Sequence, residues 1–176
     1  MTDAPPVALL GLRGAGKSTV GRALAERLGR PFVDLDAELA ARDGLAGERA
    51  GELLARVGEP RFRDLEEAAL ARALARADGP VIATGGGVVE RAANRTALAS
   101  GARCVWLRAR PEALHERLVA DPAPRPALTE LGPLEELRSL AARRGPHLAA
   151  LAEATVEVEG REVPTLVDEI LAILAR

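Results

Sequence analysis

The chain has 176 residues and a formal net charge of −2, a length that suits one domain and a charge that gives no electrostatic footprint for nucleic acid. Hydrophobic residues make up 48% and charged residues 28%, a globular mix able to bury roughly 70% of the unfolded surface. No apolar run approaches the roughly 20 residues of a membrane helix, Met1 to Pro6 lacks the basic-then-apolar pattern of a leader, and Cys104 stands alone, which excludes an internal disulfide; the cytoplasm is the expected compartment.

Val7-Ala8-Leu9-Leu10 reads as a first strand feeding a glycine loop, and residues 17–28 as a helix with Val20, Leu24 and Leu28 on one face and Gly29 as its stop. Pro31 to Asp34 is a second strand. Helix is expected from about 35 to 78, broken near Gly44–Gly51 and at Gly58-Glu59-Pro60. Val81-Ile82-Ala83 is a third strand, followed by a glycine run and a helix over about 90–99. Arg103 to Leu107 is a fourth strand, where Cys104 reads as a small buried hydrophobe, and Pro111 opens the next helix. Asp121 to Pro126 carries three prolines and is expected to be an exposed loop. Helix returns at about 133–151, Thr155 to Val158 is a fifth strand, and Pro164 begins a last helix. The alternation implies an α/β fold, a parallel sheet with helices on both faces, and no linker divides it. Ligands of such sheets bind at the carboxyl ends of the strands. Four features fall there: the glycine loop, Asp34 with Asp36, the Gly85–Gly87 run and the loop after the fifth strand.

Lys17 is the only lysine among 24 basic residues; the others are arginine. It lies in Gly11-Leu12-Arg13-Gly14-Ala15-Gly16-Lys17-Ser18-Thr19, which fits the phosphate-loop pattern G-x-x-x-x-G-K-[ST] at every fixed position. A compact ammonium reaches between two phosphates where a planar guanidinium is too wide. The glycines let backbone N–H groups point at phosphate oxygens, and the helix that follows adds its N-terminal partial charge. Gly14, Ala15, Gly16, Lys17, Ser18 and Thr19 are therefore the expected residues for binding a nucleoside triphosphate, with the Ser18 hydroxyl placed for Mg²⁺.

Three further groups admit two readings each. Asp34-Leu35-Asp36, read as extended chain, puts both carboxylates on one side, suiting them to a metal's water shell and to proton acceptance; Asp34 is equally suited to cap a helix. Arg63 with Glu66 at i+3 is either a held fork for a substrate carboxylate or an ordinary surface pair, and local pattern alone favours the surface pair. Gly85-Gly86-Gly87 is either a flexible turn or bare backbone for close approach of a ligand.

Taken together, Gly11 to Thr19, Asp34-x-Asp36, Phe62-Arg63-x-x-Glu66, Gly85-Gly86-Gly87, Arg125-Pro126 and Arg144-Gly145-Pro146 occur in an order and spacing that resembles shikimate kinase, from about Val7 to Ile173. The resemblance implies a three-layer sandwich with a five-stranded parallel sheet, a P-loop kinase fold with a mobile lid. It also implies transfer of the γ-phosphoryl of ATP to the 3-hydroxyl of shikimate, on the route to chorismate. Lys17, Asp36 and Arg125 would then be catalytic, and Arg125 would reach the transferring phosphate from a lid over 121–131. Asp34 would act on Mg²⁺ through water beside Ser18. Asp36, Arg63, Gly85, Gly86, Gly87 and Arg144 would hold shikimate, with residues 35–65 as the substrate-binding segment of a single domain, 1–176. A monomer without nucleic-acid or membrane partners is expected. The family pattern is departed from at Ala127-Leu128 and at Leu148, where a tyrosine is common, and Asp43 to Ala50 is longer than usual. Another small-molecule kinase of this fold, such as a gluconate kinase, and a non-catalytic nucleotide-binding domain are the alternatives.

Overall fold

The computed structural model describes residues 4–120 and 132–176. The expected lid, 121–131, and Arg125 within it lie outside these residues.

Five parallel strands form one sheet in the order β2-β3-β1-β4-β5: β1 Val7–Leu10, β2 Phe32–Asp34, β3 Val81–Ala83, β4 Arg103–Arg108 and β5 Ala154–Glu157. β1 is central, with Val7 in register with Val81 on one side and Arg103 on the other. All four of its residues are buried, as a strand covered on both faces requires. β5 is an edge, and its pattern shows it: Val156 is buried while Thr155 and Glu157 face water. It begins and ends one residue earlier than the apolar run suggests, because pairing with Val105 starts at Ala154.

The helices are α1 Lys17–Leu28, α2 Leu35–Asp43, α3 Ala50–Val57, α4 Glu59–Leu74, α5 Ala92–Gly101, α6 Pro111–Ala120, α7 Pro133–Leu151 and α8 Val163–Leu174. They complete a three-layer α/β sandwich. α1 packs against α8, which buries Leu166, Val167 and Ile170 at helical spacing; α4, α5, α7 and α6 form a second series of neighbours. The expected break at Gly58-Glu59-Pro60 is narrower than read. Gly58 alone, at φ 81°, breaks the chain, and Pro60 fits the first turn of α4, where its missing N–H costs nothing. Helix ends at Leu74 rather than near 78. The single helix expected over 90–99 is instead a 3-10 turn at Val88–Glu90 followed by α5. α7 tolerates Pro146 in its interior; the missing N–H removes one i→i−4 bond just after Arg144.

Candidate active site

The carboxyl ends of β1, β2 and β3 open into a cleft of about 570 Å³. On one side lies the phosphate loop. Gly14 (φ 82°) and Gly16 (φ 87°) adopt left-handed backbone that side chains disfavour, so the loop curls and α1 starts at Lys17. Lys17 Nζ donates to the carbonyls of Gly11 at 2.8 Å and Leu12 at 2.9 Å, which holds the ammonium over the loop. Gly14, Gly16, Lys17, Ser18 and Thr19 line the cleft. Ala15 does not; its methyl joins the core and its N–H donates to Leu12 O at 3.3 Å.

Asp34 combines both roles read for it. Oδ1 accepts from Ala37 N at 3.2 Å and caps α2, while Oδ2 accepts from Ser18 Oγ at 2.5 Å. The expectation that Asp34 and Asp36 share a face through strand alternation is corrected: β2 ends at Asp34 and Asp36 sits in the first turn of α2. Both still reach the cleft, because the helix starts where the strand stops.

The cleft is also lined by two arginines, each backed by a glutamate. Arg63 Nη1 donates to Glu66 Oε2 at 2.8 Å and Nη2 to Glu59 Oε1 at 3.3 Å. The side chain of Arg63 is only 11% exposed and that of Glu66 1%, which overturns the surface-pair reading. Burial pushes the Glu66 carboxyl up, against the pull of Arg63. Burial works against charge on Arg63 too, but pairing with Glu66 carries its guanidinium above the ordinary value. Arg144 is buried in α7; its Nε donates to Glu90 Oε1 at 2.6 Å and its Nη1 to Gly86 O at 3.1 Å. Burial lowers its pKa, and the neighbouring positive charge of Arg63 lowers it further despite Glu90. Glu90, which burial would raise, is held below its usual value by bonds from Arg144 and Arg143.

Gly85–Gly87 joins these groups. None of the three has positive φ, so conformational freedom is not the reason for them. Space is. A Cβ on Gly85 would lie 2.6 Å from Glu66 Oε1 and 2.9 Å from Asp36 Oδ1; one on Gly87 would overlap both terminal nitrogens of Arg63; one on Gly86 would stand 3.7 Å from Arg144 Nη1. The two guanidiniums therefore border consecutive residues of one turn. Thr84, buried, ties that turn to β1 by donating to Leu9 O at 2.9 Å.

The loop after β5 does not line this cleft. Arg161 pairs with Glu169 at 2.6 Å instead. Among the lining residues that escaped the sequence reading are two arginines, Arg117 and Arg13. Arg117 in α6 donates to Val158 O at 2.6 Å and approaches Gly14 O at 3.5 Å. Arg13, in a variable position of the phosphate loop, pairs with buried Glu136 of α7. The first is one arginine of many on a helix, and the second depends on a partner far along the chain. The described residues contain no cluster of three or more His, Cys, Asp or Glu able to hold a metal. The Ser18–Asp34 contact offers two hard oxygen donors beside the phosphate loop, which fits Mg²⁺, an ion that keeps several waters and takes few protein ligands.

A phosphate loop on a parallel sheet, with carboxylates and glutamate-backed guanidiniums lining the same cleft, defines a P-loop kinase of small molecules. The family profile described as shikimate kinase matches residues 13–175. Shikimate kinase of Symbiobacterium thermophilum is 45% identical over 166 residues, covering 94% of this chain and 93% of the relative; that of Pseudomonas syringae pv. syringae is 43% identical, covering 95% and 94%. The solved shikimate kinase of Acinetobacter baumannii in complex with shikimate superposes with a TM-score of 0.88 at 34% identity, covering 97% of this chain and 93% of that one. A gluconokinase of Sinorhizobium meliloti, at 22% identity and a TM-score of 0.65, shares the fold alone. The chain belongs to the shikimate kinase family.

Proposed function

We propose that the chain performs its family's reaction, transfer of the γ-phosphoryl group of ATP to the 3-hydroxyl of shikimate, with the roles divided as follows. The observation that carries this reading is the convergence of Arg63 and Arg144 on one glycine turn that packs beside the phosphate loop. Two cations that raise each other's electrostatic cost gain most from an anion placed between them, so a carboxylate fits there. Asp36, beside Gly85, orients the acceptor hydroxyl and takes its proton as the O–P bond forms. Lys17 neutralises charge building on the phosphates, and Gly14, Gly16, Ser18 and Thr19 cradle them, while Ala15 supports the loop from the core side. Ser18 and, through water, Asp34 hold Mg²⁺, which when bound offsets negative charge on the phosphates. Backbone N–H groups of Gly85, Gly86 and Gly87 close the shikimate pocket. Arg125 acts from the 121–131 lid on the transferring group; that segment joins α6 and α7, both of which contribute to the cleft.

Residues 1–176 act as a single kinase domain with a substrate segment over about 35–65, as a cytoplasmic monomer with no nucleic-acid or membrane partner. Among the described residues no helix is long and apolar enough to cross a membrane. The family match sets the gluconate-kinase alternative aside, since the gluconokinase resembles this chain in fold only.

The test is ADP release from ATP·Mg²⁺ with shikimate, quinate, gluconate and nucleoside monophosphates as separate acceptors. Shikimate should be the preferred acceptor, and Lys17→Ala should lower turnover by about 10³-fold, the scale of a lost electrostatic contact to the transition state, with an unchanged melting temperature. Turnover with gluconate but not shikimate, or near-normal activity in the variant, would reject the assignment.

A further inference from the structure

Glu90 lies at the end of the 3-10 turn that follows the glycine run. The turn is pinned from several sides: Glu90 N donates to Gly87 O at 2.9 Å, Asn94 donates to Val88 O at 3.0 Å, and Arg95 donates to Val89 O at 2.7 Å and Glu90 O at 3.0 Å. The carboxylate is thus presented from a fixed backbone. It accepts from Arg144 Nε at 2.6 Å and, on the same oxygen, from Arg143 Nη2 at 2.9 Å. Gly86 O, on the same turn, takes Arg144 Nη1. Two acceptors from one short turn therefore set both the position and the rotation of the guanidinium. Its other donors, of the five a guanidinium carries, are left for the cleft it lines.

A carboxylate is a costly choice here. It adds negative charge next to a pocket that receives an anion, which opposes binding through space. Geometry must outweigh that repulsion for Glu90 to help. The same logic is visible at the neighbouring Arg63, which Glu66 holds.

We propose that Glu90 is a positioning residue for substrate recognition: by holding Arg144 through Nε it presents that guanidinium to the substrate carboxylate, and so sets the preference for a charged over a neutral acceptor at this position. The inference rests on the reading that Arg144 contacts the substrate carboxylate.

The experiment is calorimetric titration with shikimate and with its neutral C1 carboxamide, plus steady-state kinetics, on wild type, Glu90→Ala, Glu90→Gln, Arg143→Ala and Arg144→Ala. Glu90→Ala should weaken shikimate binding by about 10-fold, the scale of one hydrogen bond to a charged group. Carboxamide binding should change little, and kcat at saturation should stay within about 3-fold, because the effect is on ground-state and transition-state binding alike. Glu90→Gln keeps an oxygen for Nε and removes the repulsion, so it should bind shikimate within about 3-fold of wild type. Arg143→Ala, which removes only the competing donor, should bind normally. A Glu90→Ala variant that loses shikimate and carboxamide equally, or loses neither, overturns the proposal. If Glu90→Ala is too unstable to titrate, Glu90→Gln decides: a shikimate-specific loss matching that of Arg144→Ala would mean that charge, not aim, is what Glu90 supplies. Should Arg144→Ala itself fail to distinguish the two ligands, the carboxylate-grip reading fails first; should it distinguish them while Glu90→Ala does not, only the role of Glu90 fails.

Discussion

Arg63 shows how a residue that looks ordinary in sequence becomes specialised by its surroundings. An i,i+3 Arg–Glu pair on an exposed helix is worth a few tenths of a kcal/mol. Here the helix face is turned inward, and Nε of Arg63 is buried without a partner while the two terminal nitrogens hold Glu66 and Glu59. The guanidinium is held as a rigid fork before any ligand arrives, so little side-chain entropy remains to be lost on binding. Replacing Arg63 by Ala should lower kcat/KM for shikimate by roughly 10- to 100-fold, since a hydrogen bond to a charged group contributes about 1.5–3 kcal/mol, with the KM for ATP little changed. Arg63→Lys should recover only part of this, because a point charge cannot keep Glu66 and a substrate oxygen at once. Initial-rate measurements varying each substrate in turn would settle it. A raised KM for ATP with an unchanged KM for shikimate would place Arg63 at the other ligand.

At the level of elements, local chemistry was readable wherever cause and effect sit close in the chain. The phosphate loop, its lysine and α1 fall where the motif puts them, since Gly14, Gly16 and Lys17 act on their own neighbours. The sheet was legible from alternation. What local pattern could not show was made by long-range approach. The glycines at 85–87 look like a flexible turn until Arg63, Glu66 and Asp36 are brought against them. Asp36 looks like the next strand residue until capping by Asp34 starts a helix early. The pairing of Arg13 with Glu136 spans 123 positions and joins the phosphate loop to the first turn of α7, the helix that carries Arg144. Glu136 is fully enclosed, so this pair should behave as a buried one. Arg13→Ala should destabilise the fold by about 1.5–3 kcal/mol, the scale of one hydrogen bond to a charged group. The double replacement Arg13→Met with Glu136→Leu should lose less than the sum of the two single losses, since the contact between the two side chains is then removed only once. Urea denaturation of the two single variants and the double closes the cycle. Additive losses in the double variant would mean that the two side chains act independently and that the link between loop and helix carries no stability.

The whole molecule provides its own reporter in Cys104. The thiol lies in β4, next to the central strand, buried beneath α5, and its weak contacts run to Leu98 O and Ala102 O, both at 3.8 Å. Burial, with the nearby charge of Glu153, pushes its pKa up to about 11. The thiolate is the reactive form, so at pH 8 the native thiol is protected twice, by enclosure and by protonation. A disulfide reagent such as dithionitrobenzoate should label it only through opening that exposes β4. Because neighbouring strands pair with β4 on both sides, that opening should be the global one. Ligands that bind only the folded state lower the open population by a factor of 1 + [L]/Kd. ADP or shikimate alone, at about 100 times its Kd, should therefore slow labelling by about 100-fold relative to the free protein, and the two together by about 10⁴-fold. The labelling free energy should also match that from urea unfolding when reclosing is faster than reaction. Labelling that is fast at pH 8 and indifferent to both ligands would mean that α5 lifts away locally while the sheet and the cleft stay intact, and that the two faces of this sandwich do not unfold as one unit.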